Sequence, residues 1–394
     1  MLAVLPALAA AGARSGEPGG NARVTPGVTA STILLGGTAP LTGPAAASAA
    51  YARGAKAYFD SVNATGGVAG RRIEYLVLDD AGEPAQSLAA TRALVEEEQV
   101  FALVNSYGTE QNLATRAYLN RRKLPQLFVA SGATTWGRDA ARYPWSIGFQ
   151  PSHRAEGWVY GRFVAKTMRR ARIAVLYEND ALGKELLQGL RRGLARAGSS
   201  VVAAERYDET SLDVQPQIAR LRASGATVLG IFARSPVARE AAGEARRLGW
   251  RPSLILSSES GVPGNEAVEG SVSATFLKDP GDRRWRQDPG ISRYRAIMAR
   301  HAHGANLRNL DHVYGMAVAY ETVALVERLG ATPTRTGLMA AARSLNDPSN
   351  PFLLPGISVR TGKNDGFPVQ QVQLRRSANG KWIPAGGLWQ TNGR

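Results

Sequence analysis

Between residues 33 and 256 short apolar strands alternate with amphipathic helices, and this alternation stops once and then starts again. Ile33-Leu34-Leu35-Gly36 reads as a buried strand, after which Tyr51, Ala55, Tyr58, Phe59 and Val62 recur at helical spacing. Arg72 to Leu78 is the next strand, and Pro84 opens a helix with Leu88, Thr91, Leu94 and Val95 on one face. Phe101–Val104 and Gln126–Ala130 continue the series. Such a series predicts a parallel, doubly wound sheet with helices on both faces. The break is Tyr143-Pro144-Trp145-Ser146-Ile147-Gly148-Phe149-Gln150-Pro151, an extended run bracketed by prolines, which reads as a crossover between lobes.

The restart contains strand Ile173–Tyr177, a helix with Leu186, Leu187, Leu190 and Leu194, and strand Val201–Ala204. A helix around Ile218 and Leu221, strand Val228–Phe232, an alanine-rich helix from Val237 to Leu248 and strand Leu254–Leu256 complete it. Beyond residue 270 one helix carries Val313, Met316, Ala317, Tyr320 and Ala324 on a stripe. An extended segment from Pro368 to Arg375, followed by Lys381-Trp382-Ile383-Pro384, predicts a closing hairpin. With 394 residues, two domains are the default. The expectation is a hinged, bilobal α/β protein whose ligand lies in the cleft, at the carboxyl ends of the strands.

Several chemistries are excluded or left without support. The chain has no cysteine, which removes disulfides, Cys-ligated zinc, thiol catalysis and a lipidated cysteine. His301 and His303 lack an evident third metal ligand and read as surface histidines. No dinucleotide or P-loop glycine pattern follows a strand, and Ser257-Ser258-Glu259-Ser260-Gly261 lacks the leading glycine of a nucleophile elbow. Asp79-Asp80 reads as capping for the helix that begins near Pro84. The net charge of +16 is spread in arginine doublets along the whole chain, which fits a solvated surface better than a nucleic-acid footprint. The run Leu2 to Ala11, with Ala7-Leu8-Ala9, resembles a secretory signal without its basic start, and a Gly, Pro and Ser-rich linker continues to residue 27. Export to the periplasm is therefore expected. No cofactor and no metal site are expected.

Small hydroxylated residues and glycine concentrate in three loops: Thr38–Pro44, Asn105–Thr109 and Ala130–Thr135. Each follows a predicted strand and precedes a helix, so backbone N–H groups and hydroxyls gather at helix N-termini. That is a setting for a carboxylate. Three such loops in one sheet point to a shared anion site.

Residues in several separate segments, in order, resemble the leucine/isoleucine/valine-type periplasmic solute-binding proteins. They include Thr38–Pro44, Asn63–Ile73, Leu78-Asp79-Asp80, Phe128–Thr134, Tyr143-Pro144-Trp145 and Val175–Asp180 with Gly183-Lys184. Leu277-Lys278-Asp279-Pro280, Trp285 and Leu354-Pro355-Gly356-Ile357 continue the resemblance, which runs from about residue 27 to the end. It implies a type I periplasmic-binding-protein fold, two doubly wound parallel-sheet lobes joined by a three-segment hinge. Lobe 1 would be residues 28–148 plus 275–355, and lobe 2 residues 149–274 plus 356–394. It also implies no enzyme activity, but capture of a small-molecule solute by a monomer and delivery to the permease and ATPase subunits of an ABC importer.

Carried across residue by residue, the resemblance places Ser106, Tyr107 and Thr109 in the first ligand loop and Ser131, Gly132, Ala133 and Thr134 in the carboxylate-binding loop. In lobe 2 it implies Asp180 and Leu182, then Arg234, then Glu259 or Ser260. This chain departs from the family at Leu182 and Ser48, where aromatics are usual, and at Glu259, an acid offset by one with Ser260 the better aligned. Arg234 puts a cation in the lobe 2 wall, which would repel an ammonium and could pair with a carboxylate. The solute is expected to be an amino acid or an aromatic or aliphatic organic acid. A sensor of the same fold, signalling to a regulator, has the same cleft physics.

Overall fold

In the computed structural model, which describes residues 25–195, 198–208, 213–260, 268–362 and 365–391, the chain builds two sheets in turn. The first takes β1 (Thr32–Ala39), β2 (Arg72–Asp79), β3 (Ala102–Val104), β4 (Gln126–Val129) and β5 (Ser146–Gly148) in the order β2-β1-β3-β4-β5. All four pairings are parallel. β3 and β4 are buried along their whole length, as strands covered on both faces must be. The connecting helices are α1 (Ala49–Asn63), α2 (Pro84–Arg92), α3 (Thr109–Arg122) and the single turn α4 (Thr135–Arg138). The extended break between the prolines is thus β5, an edge strand, and the chain leaves the first lobe directly after it.

The second unit opens with α5 (His153–Thr167), β6 (Arg172–Glu178), α6 (Ala181–Leu194) and β7 (Ser200–Tyr207). α7 (Gln215–Ala223), β8 (Val228–Phe232), α8 (Ser235–Arg247), β9 (Ser253–Leu256) and β10 (Val272–Thr275) continue it. The chain then returns to the first lobe for α9 (Pro289–His301), α10 (Leu310–Leu329), α11 (Arg335–Ala342) and the short pair β11 (Asn346–Asp347) and β12 (Val359–Arg360). It ends in β13 (Gln371–Ala378) and β14 (Lys381–Gln390) on the second sheet, whose order is β14-β13-β10-β9-β8-β6-β7. The hairpin is antiparallel and turns on Asn379 and Gly380, with φ of 52° and 69°. A two-residue hairpin turn with positive φ at both positions favours this Asn-Gly pair.

Each lobe has its own apolar core. Phe59, Phe101, Phe128, Phe149, Tyr294, Met316 and Phe352 lie in the first; Val159, Phe163, Leu186, Leu190, Val372 and Leu374 lie in the second. Ile357, Val359 and Val369 pack in the first core, so the third crossing lies near residue 370 and not at 355. The reason is the β11–β12 pair, which holds the segment on lobe 1 past the family-like Leu354–Ile357 motif. The reading of Asp79-Asp80 as a helix cap is also corrected. Residue Glu83 holds the N-cap position of α2 without a side-chain bond. Asp79 instead accepts from the backbone of Leu41, Thr42 and Ala81 and from the Thr42 hydroxyl, fixing the first loop against the end of β2. The signal-like run lies outside the described residues, among which no helix is long and apolar enough to cross a membrane.

One buried acid yields a pH prediction. Glu321 on α10 is fully buried, takes a 2.8 Å hydrogen bond from Asn350 on one oxygen, and has no partner on the other among the described residues. Burial, with help from the Asp347 charge, pushes its pKa up to about 8. The folded state therefore holds a proton that the unfolded chain releases above pH 4 to 5, and stability falls as pH climbs from there toward 8. Glu321→Gln, which imitates the protonated form, should flatten that slope and stabilise the fold by roughly 2–4 kcal/mol at pH 8. Urea titrations of both chains at pH 5 and pH 8 measure this; an unchanged slope would refute it.

Candidate functional site

The carboxyl ends of β3 and β4 bring the two predicted lobe 1 loops together. The Thr109 hydroxyl, at the start of α3, lies 2.6 Å from that of Ser131. Ser131 also receives the Ala133 amide at 3.2 Å and the Trp136 indole N–H at 2.9 Å, so its hydroxyl is used to shape the loop. Ser106 is buried and accepts the Thr38 amide at 3.2 Å, tying its loop to β1. Ala133 is buried beside Val129 and Trp136. Gly132 accepts the His153 amide at 2.7 Å, and a Cβ there would come within 2.5 Å of the His153 ring. Only glycine lets the first residue of α5 approach this closely.

Thr134 is the member of this loop that faces across the cleft. Its amide and its hydroxyl both donate to one carboxylate oxygen of Glu185 on α6, at 2.8 and 2.7 Å. The loop read from sequence as a carboxylate cradle thus holds a carboxylate, one supplied by the opposite lobe. Tyr107, from the first loop, likewise crosses: its hydroxyl has Arg234 of lobe 2 and Ser48 of lobe 1 as partners.

The lobe 2 wall is a charged cluster at the ends of β6, β8 and β9. Arg234 forms a short ion pair with Glu178 and lies 3.5 Å from Asp180 and 3.9 Å from Glu259. Burial works against the guanidinium charge, yet Tyr107 and these three carboxylates raise its pKa well above the ordinary value. Asp180 also caps α6 through the Gly183 amide at 3.0 Å. Glu259 sits 3.1 Å from the His153 Nε2. Burial would raise the Glu259 carboxyl, but the bond and charge of His153, with Arg234, hold it below its ordinary range. Glu259 in turn raises the His153 pKa against the burial of the ring, with Glu185 and Glu156 adding to it. Three acids, Glu178, Asp180 and Glu259, thus face two basic groups, Arg234 and His153, so acids outnumber bases in the wall. The premise that Arg234 stands there as a free cation repelling an ammonium is therefore corrected.

Three lobe 1 tyrosines feel the Glu259 charge. Burial raises the hydroxyl pKa of Tyr51, Tyr107 and Tyr314, and Glu259 adds to it in all three, after Asp311 in Tyr51 and against Arg234 in Tyr107. The Tyr51 ring packs tilted against Tyr107, with centroids 5.3 Å apart, and edge-on to Tyr314 at 4.8 Å. The Tyr314 hydroxyl, the Asn105 Oδ1 and the His153 Nδ1 are buried and have no hydrogen-bond partner among the described residues. Buried polar atoms left in this way are what a bound water or a polar ligand completes.

Two expected residues are not brought to the cleft. Leu182 is buried in the lobe 2 core with Leu186 and Phe232. The Ser260 hydroxyl turns into its own lobe, lying 2.6 Å from the Ser257 hydroxyl and donating to the Ala233 carbonyl, so it braces the end of β8. The acid beside it, Glu259, takes the cleft position. Sequence reasoning missed Tyr51, His153, Glu178, Glu185 and Tyr314. His153 carried one signal, its place directly after the proline-bracketed crossover, where a residue must lie at the hinge.

The profile of the periplasmic binding protein family matches residues 32–381. An amino acid binding protein of Pseudomonas aeruginosa is 24% identical over 62% of this chain and 65% of its own length; the chain thus spans just under two thirds of that curated relative. Among solved structures, a branched-chain amino acid ABC transporter protein from Thermus thermophilus with bound valine superposes with a TM-score of 0.80 at 17% identity, covering 91% of this chain and 96% of that one. A solute-binding protein of an ABC transporter from Rhodopseudomonas palustris, in complex with 3,4-dihydroxybenzoic acid, gives 0.76 at 18%, covering 92% and 98%. These likenesses support the two-lobed fold read from the sequence.

The Arg234 cluster makes a stability prediction. Glu178 is 2% exposed, and Arg234→Ala removes its cation, which should cost about 2–4 kcal/mol. Adding Glu178→Gln should recover most of that loss, as read by urea denaturation. A double variant no more stable than the single one would show that Arg234 acts through packing instead of charge.

Proposed function

The chain belongs to the periplasmic binding protein family, solute-binding proteins of the branched-chain amino acid ABC-transporter type and not enzymes, and on that premise we propose that it captures an α-amino acid by lobe closure. The captured solute then passes to the permease and ATPase subunits of an importer. The observation that carries this reading is the Thr134–Glu185 contact: the lobe 1 loop closes around a carboxylate. A solute carboxylate would exchange with Glu185 at the same two donors. Valine and 3,4-dihydroxybenzoic acid, held by the two solved relatives, both carry that group.

The opposite wall favours an ammonium over a plain acid. Glu259 is held ionised, the carboxylates around Arg234 leave that wall net negative, and tyrosine faces attract cations. Closure then buries both charged ends of the solute, where their interactions gain strength as water leaves. Glu185 serves as the internal stand-in that fills the cradle until a solute arrives.

Calorimetry with the standard amino acids, followed by the des-amino and decarboxylated analogues of the best binder, tests the proposal. Each analogue should bind at least about tenfold more weakly. Thr134→Ala should weaken binding to a similar degree without lowering the melting temperature of the empty protein by more than a few degrees, whereas Glu185→Ala should tighten it by removing a competitor. A des-amino analogue that binds as well as its amino acid would make the solute a simple carboxylic acid. Unchanged affinity in Thr134→Ala would move the carboxylate site elsewhere.

A further inference from the structure

Solute capture uses the carboxyl ends of the strands, but it leaves the outer face of lobe 2 without a role. There α5 and α6 lie side by side. A Cβ on Gly157 would stand 2.1 Å from the Leu186 carbonyl oxygen, and one on Gly193 would stand 2.3 Å from that of Trp158, so the two backbones touch and present one surface. On that surface Arg154, Arg162 and Lys166 come from α5, Arg169 and Arg170 from the turn after it, and Lys184, Arg191 and Arg192 from α6. All but the half-buried Arg154 are exposed.

The two helices contain two acids, and both are committed elsewhere. Glu156 is buried and accepts from Ser258 and Tyr160, while Glu185 reaches across the cleft to Thr134. Among the described residues none of the eight cations is in an ion pair. Elsewhere on the molecule exposed arginines do meet acids, as in Arg122–Glu96, Arg220–Glu205 and Arg247–Glu240. The β13–β14 hairpin packs on the same core and carries no acid on either strand. Their mutual repulsion is a standing cost that an anionic surface would remove.

We propose that this face binds the anionic headgroup surface of a phospholipid bilayer and so keeps the solute-capturing chain at the membrane. The form of the patch favours a bilayer. From Arg154 to Lys166 it runs about 18 Å along α5 at the helical rise. Its cations repeat along two neighbouring helices, so it reads charge density over an area instead of a single contour. Four to eight basic residues on such a surface are what anionic lipid recognition takes. Trp158 lies half-buried in the middle of the array, a residue type that settles at headgroup depth.

The test is flotation of the whole chain with vesicles of pure phosphatidylcholine, with vesicles of equal parts phosphatidylcholine and phosphatidylglycerol, and with duplex DNA as a competing polyanion. Binding is expected only with phosphatidylglycerol and should fade as salt rises. Reversing Arg162, Lys166, Arg191 and Arg192 to Glu should weaken it by at least about tenfold. Reversing Arg53, Arg121, Arg300 and Arg308 on lobe 1, for the same net charge, should leave it nearly intact. Both variants should keep the circular dichroism and the amino acid affinity of the parent, which separates this proposal from that of solute capture. Equal loss in both variants, equal binding to the two vesicle types, or preference for DNA over the anionic vesicles would each overturn it.

Discussion

The architecture of the cleft depends on one guanidinium. Arg234, after β8, draws Glu178 and Asp180 from the end of β6 and Glu259 from the end of β9 together and reaches Tyr107 of lobe 1. Carboxylates taken out of water are tolerated only when paired, and a pair broken on one side leaves the other charge exposed to a low-dielectric interior. Arg234 therefore does two things with one side chain. It makes a buried glutamate possible at the end of β6, and it ties the ends of β6 and β9 to Tyr107 of the facing lobe.

The facing loop works by the same accounting of polar groups. Ser131, Thr109 and Ser106 spend their hydroxyls on one another, on Trp136 and on β1, which makes the loop rigid but leaves few donors free. Thr134 is the exception, and lobe 2 supplies it with Glu185. The Thr134–Glu185 contact between the lobes thus uses a group of the kind a zwitterionic solute would offer, a carboxylate, while Glu259 is held within lobe 2 by His153. Closure and recognition draw on one set of interactions.

Much of the fold was legible because strand and helix periods differ and the alternation runs for most of the chain. The strands at Ile33, Arg72, Phe101, Gln126, Ile173, Val228 and Leu254 and the closing hairpin all stand within a few residues of where their apolar patterns place them. The third crossing was misplaced because Leu354–Ile357 looks like a boundary motif, while the β11–β12 pair that holds the next segment on lobe 1 is only two residues long on each side. A ladder so short leaves no periodicity to read.

The candidate site was half legible, for a physical reason. Composition marked the lobe 1 loops because three of them recur at equivalent places in one sheet, although each alone reads as an N-cap and a turn, and the second and third do converge. The sequence by itself determined the alternation, the two-unit plan and the residues available at each strand end. It could not decide which way each side chain turns. Glu259 and Ser260 are neighbours, yet one faces the cleft and the other braces β8, because the turn after β9 sends successive residues to opposite sides. Nor could it show that Glu178, more than fifty residues away along the chain, neutralises Arg234, or that Glu185 meets Thr134. Those pairings exist only once the sheets twist their ends together, and so the sign of the charge in the cleft was settled by tertiary structure alone.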